Sequence, residues 1–368
     1  MKKIVFVFLS IFICFQNISS QNYIAAALDE EFWGYIDETG NWVIRPMYNA
    51  AKDFNSGDGL IKNLDAWYFV NKEGIIINRS NTYQVKNDFS EGLARIQENG
   101  KWGYINNLGE IVIQPQFIEA GDFKDGVAAV KQDAKWGYID YNGNYFIDPQ
   151  FDHAKDFENG VGIVREKGIY KYVNSNKEIF PANKEYEALK EFSNGFARIR
   201  QGKLWGYINQ TGQIAIPAQF IDAGNFVDGY APVISGKFWG YINTSGEYIT
   251  QPSLEVAKEF SDGMALVKEG KELYYINTSG EQIGKNAGYI IKNGFSGGLA
   301  RIIQNGKVGF INKSGNIVIQ PTFEDAEDFV GDYAAVRLQG KWGFINKNGD
   351  VVIECKFKKV RNLIKLLN

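Results

Sequence analysis

The stretch Lys101-Trp102-Gly103-Tyr104-Ile105-Asn106, followed by Gly109 and by Ile111-Val112-Ile113-Gln114-Pro115, decides the fold of this chain. Aligning the sequence on the tryptophan of this stretch identifies ten copies, which begin at Trp33, Trp67, Trp102, Trp136, Tyr170, Trp205, Trp239, Leu273, Val308 and Trp342. Successive copies are 34 or 35 residues apart. A fixed period of this length indicates a repeat architecture, in which each unit buries its apolar faces against its neighbours.

Each copy predicts three short antiparallel strands. The first strand is represented by Leu93-Ala94-Arg95-Ile96, and Asn99-Gly100 then predicts a two-residue hairpin turn. The second strand is the Trp-Gly-Tyr segment. The turn after it carries a glycine such as Gly109, which we expect in a left-handed conformation. The third strand is rich in isoleucine and valine and often ends at a proline such as Pro115, which cannot donate to the ladder.

The connection between copies carries a phenylalanine, exemplified by Phe123, which we expect to pack under the sheet from an irregular loop or a single helical turn. Trp102 and Tyr104 share one face of their strand, and Gly103 and Ile105 share the other, so both faces need to be covered. The sequence therefore predicts an all-β, elongated β-solenoid or superhelix of ten three-stranded units. The alternative is a closed ring resembling a β-propeller, although ten blades exceed the usual ~4–8.

The repeated Trp-Gly pair resembles the WG, or KWG, repeat family of bacterial proteins. The residues that carry the resemblance are Trp33-Gly34, Trp102-Gly103, Trp136-Gly137, Trp205-Gly206, Trp239-Gly240 and Trp342-Gly343, with the glycine and proline that follow them. It covers nearly all of residues 21–368, and the copies at Tyr170 and Leu273 depart most from the pattern. The resemblance implies a repeat array and no particular activity.

A second period of 103 residues groups the copies into three triplets and one closing copy. Phe89-Ser90-Glu91-Gly92, for example, returns in closely related form at Phe192 and again at Phe295. One copy in each triplet replaces the glycine after the tryptophan position by a bulky residue. These residues are Tyr68, Lys171 and Tyr274. We interpret them as candidates for a ligand surface, because only an uncrowded site would accept them.

Residues 1–20 have the composition of a secretory signal peptide. Lys2-Lys3 form a positive start, Ile4 to Phe15 are almost wholly apolar, and small residues precede an expected cleavage after Ser20. The mature array would then span residues 21–368, carry a net charge of −5 and have no transmembrane segment. This charge argues against nucleic acid as a partner. We expect a secreted, periplasmic or cell-envelope location, with Cys355 as the one remaining cysteine.

The sequence offers no catalytic, cofactor or metal site. His153 is the only histidine, and it lies in a connection where other copies carry ordinary residues such as Glu119. Acidic pairs such as Asp122 and Asp125 recur beside glycines, which indicates roles in turns. Cys355 replaces a proline found at this position in other copies, which indicates a packed thiol.

We therefore expect an exported, non-enzymatic scaffold that binds a protein partner. The alternative is a carbohydrate-binding array that uses Tyr68, Lys171, Tyr274 and nearby aromatic residues, with a glycan as the ligand. A hydrolase is the least favoured interpretation, because no copy holds a unique cluster of reactive side chains.

Overall fold

The computed structural model describes residues 23–55, 57–64, 66–77, 84–85, 88–180, 186–285 and 287–366. The expected signal peptide lies outside the described residues. The described residues form ten small antiparallel sheets, and they contain no α-helix. The sheets are the blades of a closed β-propeller, which we number 1 to 10 in chain order.

The strands are numbered in chain order. Blades 1 to 3 contain β1 (Tyr23–Leu28), β2 (Trp33–Asp37), β3 (Trp42–Tyr48); β4 (Ala50–Ala51), β5 (Asp58–Asn63), β6 (Ala66–Asn71); β7 (Gln84–Val85), β8 (Leu93–Glu98), β9 (Lys101–Asn106) and β10 (Ile111–Phe117). Blades 4 to 6 contain β11 (Glu119–Ala120), β12 (Ala128–Gln132), β13 (Lys135–Ile139), β14 (Tyr145–Phe151); β15 (His153–Ala154), β16 (Val161–Glu166), β17 (Ile169–Asn174), β18 (Ile179–Phe180); β19 (Ala188–Ser193), β20 (Phe196–Gln201), β21 (Leu204–Asn209) and β22 (Ile214–Phe220).

Blades 7 to 10 follow the same plan. They contain β23 (Asp222–Ala223), β24 (Tyr230–Ser235), β25 (Phe238–Asn243), β26 (Tyr248–Leu254); β27 (Val256–Ala257), β28 (Met264–Glu269), β29 (Glu272–Asn277), β30 (Gln282–Ile283); β31 (Ile290–Ile291), β32 (Ala300–Gln304), β33 (Lys307–Ile311), β34 (Ile317–Phe323); β35 (Asp325–Ala326), β36 (Tyr333–Leu338), β37 (Lys341–Asn346) and β38 (Val351–Phe357). The last strands, β39 (Lys359–Val360) and β40 (Ile364–Lys365), pair with β1.

The pairing of both chain ends closes the ring, so the predicted elongated solenoid is wrong and the ring alternative is correct. Ala27 of β1 pairs with Val360 of β39, and Ile24 pairs with Ile364 of β40. The last copy therefore supplies blade 1 with the short first strand that other blades take from the preceding connection. A repeat sequence specifies the unit, but the angle between units decides whether the array closes, and that angle depends on packing between neighbours.

Ten apolar clusters, one at each boundary between neighbouring blades, form the core. At the boundary between blades 3 and 4, Tyr104 packs edge-on against Phe123 with ring centroids 4.8 Å apart. The Tyr104 hydroxyl donates to the backbone oxygen of Gly121 over 2.8 Å. The boundary between blades 10 and 1 has its own cluster, in which Phe344 packs with Leu363. The expected burial of the connection phenylalanines is thus confirmed.

The connection itself differs from the expected loop or helical turn. Glu119–Ala120 first adds a fourth strand to the next blade, so the units are four-stranded where three strands were predicted. Asp125 and Gly126 then form a two-residue turn, in which Lys124 and Val127 exchange both backbone hydrogen bonds. Both turn residues have positive φ, as the hairpin turns of this type require.

The predicted left-handed glycine after the Trp-Gly strand is confirmed. Gly109 has a φ of +79°, and the single copy without a glycine at this place keeps the conformation, because Lys177 has a φ of +67°.

The glycine of the Trp-Gly pair leaves space for the backbone of its own blade. A Cβ added to Gly103 would lie 2.4 Å from the Ile113 oxygen and 2.6 Å from the Pro115 nitrogen. Seven blades have a seven-residue fourth strand of this kind. In blades 2, 5 and 8 the fourth strand is reduced to an isolated bridge or to two residues, and these blades carry Tyr68, Lys171 and Tyr274. The length of the fourth strand thus explains where glycine is replaced.

We expect Gly103→Ala to destabilise the protein by about 1–3 kcal/mol, because the new methyl group overlaps backbone atoms that cannot rotate away. The free energy of unfolding in denaturant measures this cost. Lys171→Ala is the matched control and should change stability by less than about 0.5 kcal/mol. Equal costs for the two substitutions would contradict the account.

Asp58 is the buried acidic residue of the described core. It opens β5 at a place where other blades carry apolar residues such as Leu93 and Val127, and only 7% of its surface is exposed. Burial, assisted by the nearby Glu73, raises the pKa of its carboxyl group to about 7. The folded chain therefore keeps a proton that the unfolded chain, with an ordinary aspartate pKa of about 3.9, releases. Stability should fall as pH rises through this interval.

Asp58→Leu should therefore raise the melting temperature at pH about 7.5 and have a smaller effect at pH about 4, where the wild-type carboxyl is protonated in the folded state. Thermal unfolding of both proteins across this range provides the measurement. A gain of equal size at both pH values would show that side-chain volume, and not ionisation, is responsible.

Candidate functional site

One end of the ring carries the most distinctive surface, and we call this end the turn face. Neighbouring strands of each blade are antiparallel, so the turns between the second and third strands lie at the same end as the short links from one blade to the next. Ile221 lies in such a link, between β22 and β23, and Phe238 begins β25 directly after such a turn. Both residues flank the end of β24, because the Ile221 amide donates to Ile234 and Phe238 pairs with Ser235.

An arc of exposed apolar side chains crosses the turn face of blades 6 to 8. We define this apolar arc by Leu204, Ile221, Phe238, Val256 and Leu273, of which Ile221 is 53% and Phe238 43% exposed. A single exposed apolar side chain is common on protein surfaces, whereas several of them at the same end of neighbouring blades are a feature of binding surfaces. Leu204 and Phe238 begin third strands and Ile221 lies in a link, whereas Val256 begins the first strand of blade 8 and Leu273 is the second residue of the third strand of that blade.

Other blades show what these positions hold when no apolar surface is presented. Lys135 and Asp152 are 17 residues apart, like Leu204 and Ile221, and they form an ion pair of 2.6 Å. The fold therefore accepts a solvated ion pair where blades 6 and 7 present two large apolar side chains. Folding of the blade does not account for this choice.

The arc ends at a cavity of about 420 Å³ between blades 8 and 9. Leu273, Tyr289, Ile290 and Ile303 supply its apolar walls, and Gln304 adds an amide. Ile290 is 66% exposed. The volume of the cavity is sufficient for one large side chain.

The three residues singled out from the sequence are not brought together. Tyr68, Lys171 and Tyr274 lie on β6, β17 and β29, in blades that are separated by two others. Lys171 is half-buried and pairs with Glu166 over 2.6 Å. Tyr68 packs against the core cluster between blades 1 and 2, and Tyr274 belongs to the cluster between blades 7 and 8.

Tyr274 is the most enclosed of the three, with 1% of its surface exposed. Its hydroxyl donates to Glu269 over 3.1 Å, and the Lys285 ammonium lies 4.6 Å from the centre of its ring. Burial and the Glu269 carboxylate raise the pKa of Tyr274 to about 12. Its ring face is covered, so this position offers no platform on which a sugar could stack.

The other residues considered in the sequence, His153, Cys355 and Asp125, each contact a neighbouring side chain or backbone group. His153 is exposed and lies against Trp136, with ring centroids 5.6 Å apart. Cys355 is half-buried, and its Sγ lies 3.6 Å from the Val336 oxygen. Asp125 accepts a hydrogen bond from the Gly160 amide of the next blade over 2.7 Å.

Metal-binding clusters and membrane-spanning helices are absent from the described residues. No group of three or more His, Cys, Asp or Glu side chains there could hold a metal ion. Within the same residues, no helix has the length and apolar character that crossing a membrane requires.

Sequence reasoning missed the apolar arc, although the signal is present. Comparing the residue before the tryptophan position across copies shows lysine at 101, 135, 307 and 341. Large apolar residues stand there in the first copy and in three consecutive copies, as Phe32, Ile169, Leu204 and Phe238. Only the structure shows that Leu204, Phe238 and Ile221 lie at the same end of neighbouring blades.

Because the arc is exposed, its residues should contribute little to folding. We expect Leu204→Lys combined with Ile221→Asp to keep the free energy of unfolding within about 0.5 kcal/mol of wild type, since it recreates the Lys135–Asp152 arrangement. Denaturant unfolding measures this. A loss above about 2 kcal/mol, as expected for a core position, would show that the arc is part of the core.

Comparisons with solved structures find several similar chains. A structure described as the eukaryotic initiation factor is 13% identical, with a TM-score of 0.48, 94% coverage of this chain and 98% of that one. Kluyveromyces lactis Hsv2p is 8% identical, with a TM-score of 0.34 and coverage of 66% and 98%. The extracellular domain of a hybrid two-component system from B. thetaiotaomicron is 10% identical, with a TM-score of 0.26 and coverage of 91% and 64%.

No curated protein matches the chain. The model of the WG containing repeat, in contrast, matches most of the chain. The matched residues are 33–74, 85–102, 102–136, 136–170, 174–205, 205–236, 239–272, 309–342 and 342–364. The matches begin or end at the tryptophan positions in most copies, which agrees with the period read from the sequence. The chain therefore belongs to the family of WG-repeat proteins.

Proposed function

We propose that this WG-repeat propeller is an exported, non-enzymatic scaffold that binds a protein partner through the apolar arc of its turn face. The observation that carries the proposal is the exposure of Leu204, Ile221 and Phe238 at positions where the fold accepts ion-paired side chains. Exposed apolar clusters of this kind gain free energy when a partner removes them from water.

The shape of the arc supports a macromolecular partner. Five side chains are spread over three neighbouring blades, so one small ligand would not cover them. Protein interfaces combine a buried apolar centre with a polar rim, and side chains of the partner could fill the cavity beside Leu273 and Ile290. A non-enzymatic role fits the local partners of His153, Cys355 and the acidic turn residues.

Capture of the native partner tests this proposal. Wild-type protein with a photo-crosslinker introduced beside the arc should label a specific partner, and the Leu204→Lys, Ile221→Asp double variant should lose it. Ile118→Asp is the matched control, because Ile118 is 38% exposed in a link outside the arc. Loss of the partner with the control, or its retention with the double variant, would contradict the proposed surface.

Export is the second part of the proposal and rests on the apolar, lysine-led segment before Gln21. Mass spectrometry of the native protein should find a chain that begins near Gln21, two residues before β1. A mature protein that retains Met1 would refute cleavage and with it this route of export.

A further inference from the structure

The turns that border the apolar arc differ from the turns of other blades. In blades 6 to 8 the two turn residues are Gly202-Lys203, Gly236-Lys237 and Gly270-Lys271, and only the glycine has positive φ. A glycine at the first position and an ordinary residue at the second fit a type II′ hairpin turn. Three consecutive blades therefore place a lysine at the tip of the turn.

Blades 3, 9 and 10 place the lysine differently. Their turns are Asn99-Gly100, Asn305-Gly306 and Gln339-Gly340, with positive φ at both residues, and the lysine follows as the first residue of the third strand. Compared with these blades, blades 6 and 7 have the lysine one residue earlier. Leu204 and Phe238 then occupy the place of the lysine. In blades 6 and 7 the one-residue shift of the lysine therefore places the charge at the tip of the turn and the apolar side chain at the start of the third strand.

The three turn-tip lysines are free to meet an outside charge. Lys203, Lys237 and Lys271 are exposed, and none has an ion pair within the part of the chain that the structure describes. Lys135 of blade 4, in contrast, is neutralised by Asp152. Basic groups nearer the sheet are paired too, as Lys268 is with Glu255 over 3.5 Å.

From this arrangement we infer that the apolar arc receives an acidic, amphipathic segment of a protein partner, whose apolar side chains cover the arc and whose carboxylates meet Lys203, Lys237 and Lys271. The inference rests on the proposed function and specifies the chemistry of the partner. Complementary charges around an apolar centre give such contacts their specificity and association rate.

An anionic membrane offers similar chemistry, but the shape of the charge pattern favours a protein segment. A flat lipid surface would contact the whole turn face, where Asp133 is exposed at the turn tip of blade 4. A narrow segment can follow the arc and avoid Asp133, and the Glu255 carboxylate beside Val256 on blade 8 is paired with Lys268 over 3.5 Å.

Two synthetic peptides test the inference directly. One alternates leucine with glutamate, and the other alternates leucine with lysine. Fluorescence anisotropy of each labelled peptide with the full chain should show tighter binding of the glutamate peptide, weakened by salt. Reversing all three charges, with Lys203→Glu, Lys237→Glu and Lys271→Glu, should weaken that binding by at least about tenfold. The matched control reverses Lys101 and Lys307, which lie outside the arc, and should bind like wild type.

Equal binding of both peptides, or no effect of the triple reversal, would overturn the inference. Binding to phosphatidylcholine vesicles that contain phosphatidylglycerol, if abolished by the triple reversal, would assign the arc to a membrane and also overturn it. Photo-crosslinking of the native partner distinguishes the proposed protein-binding arc from the inferred acidic segment. A partner lost with Leu204→Lys, Ile221→Asp but retained with the triple reversal would uphold the protein-binding arc and reject the acidic segment.

Discussion

The ring depends on one aromatic contact that recurs at the boundaries between blades. The tyrosine or phenylalanine two residues after the tryptophan position packs against the phenylalanine of the following connection, with centroids 4.2–5.2 Å apart at nine boundaries. At the tenth boundary, Phe344 and Leu363 share a cluster. Where the residue is tyrosine, its buried hydroxyl also donates to a backbone oxygen of the next blade, as Tyr104 does to Gly121. Repetition of this contact sets the relation between blades and therefore the closure of the ring.

The sequence predicted features that depend on neighbours along the chain. The period, the hairpin at Asn99-Gly100, the left-handed Gly109 and the buried Phe123 are all confirmed. Closure could not be predicted, because the pairing of Ala27 with Val360 joins opposite ends of the chain. The Asp125-Gly126 turn was predictable from the residue pair alone, since Asp-Gly favours this turn.

The candidate site and the fold depend on different positions of the repeat. The positions that maintain the ring vary little in character, whereas the turn face changes from Lys135 and Asp152 in one sector to Leu204 and Ile221 in another. Tyr68, Lys171 and Tyr274 also depart from the pattern, but the short fourth strands explain them within each blade. A residue that departs from the repeat pattern therefore indicates function only when neighbouring blades share the departure and packing within the blade does not require it.

Closure of the ring is the central claim, and an engineered disulfide between the chain ends tests it most directly. Leu28 of β1 pairs with Lys359 of β39, so their Cα atoms lie within the range that a disulfide spans. In a protein whose Cys14 and Cys355 are replaced by serine, Leu28→Cys with Lys359→Cys should form an intramolecular disulfide at low protein concentration without loss of stability. Two free thiols, or cross-linking only between separate molecules, would contradict the closed ring.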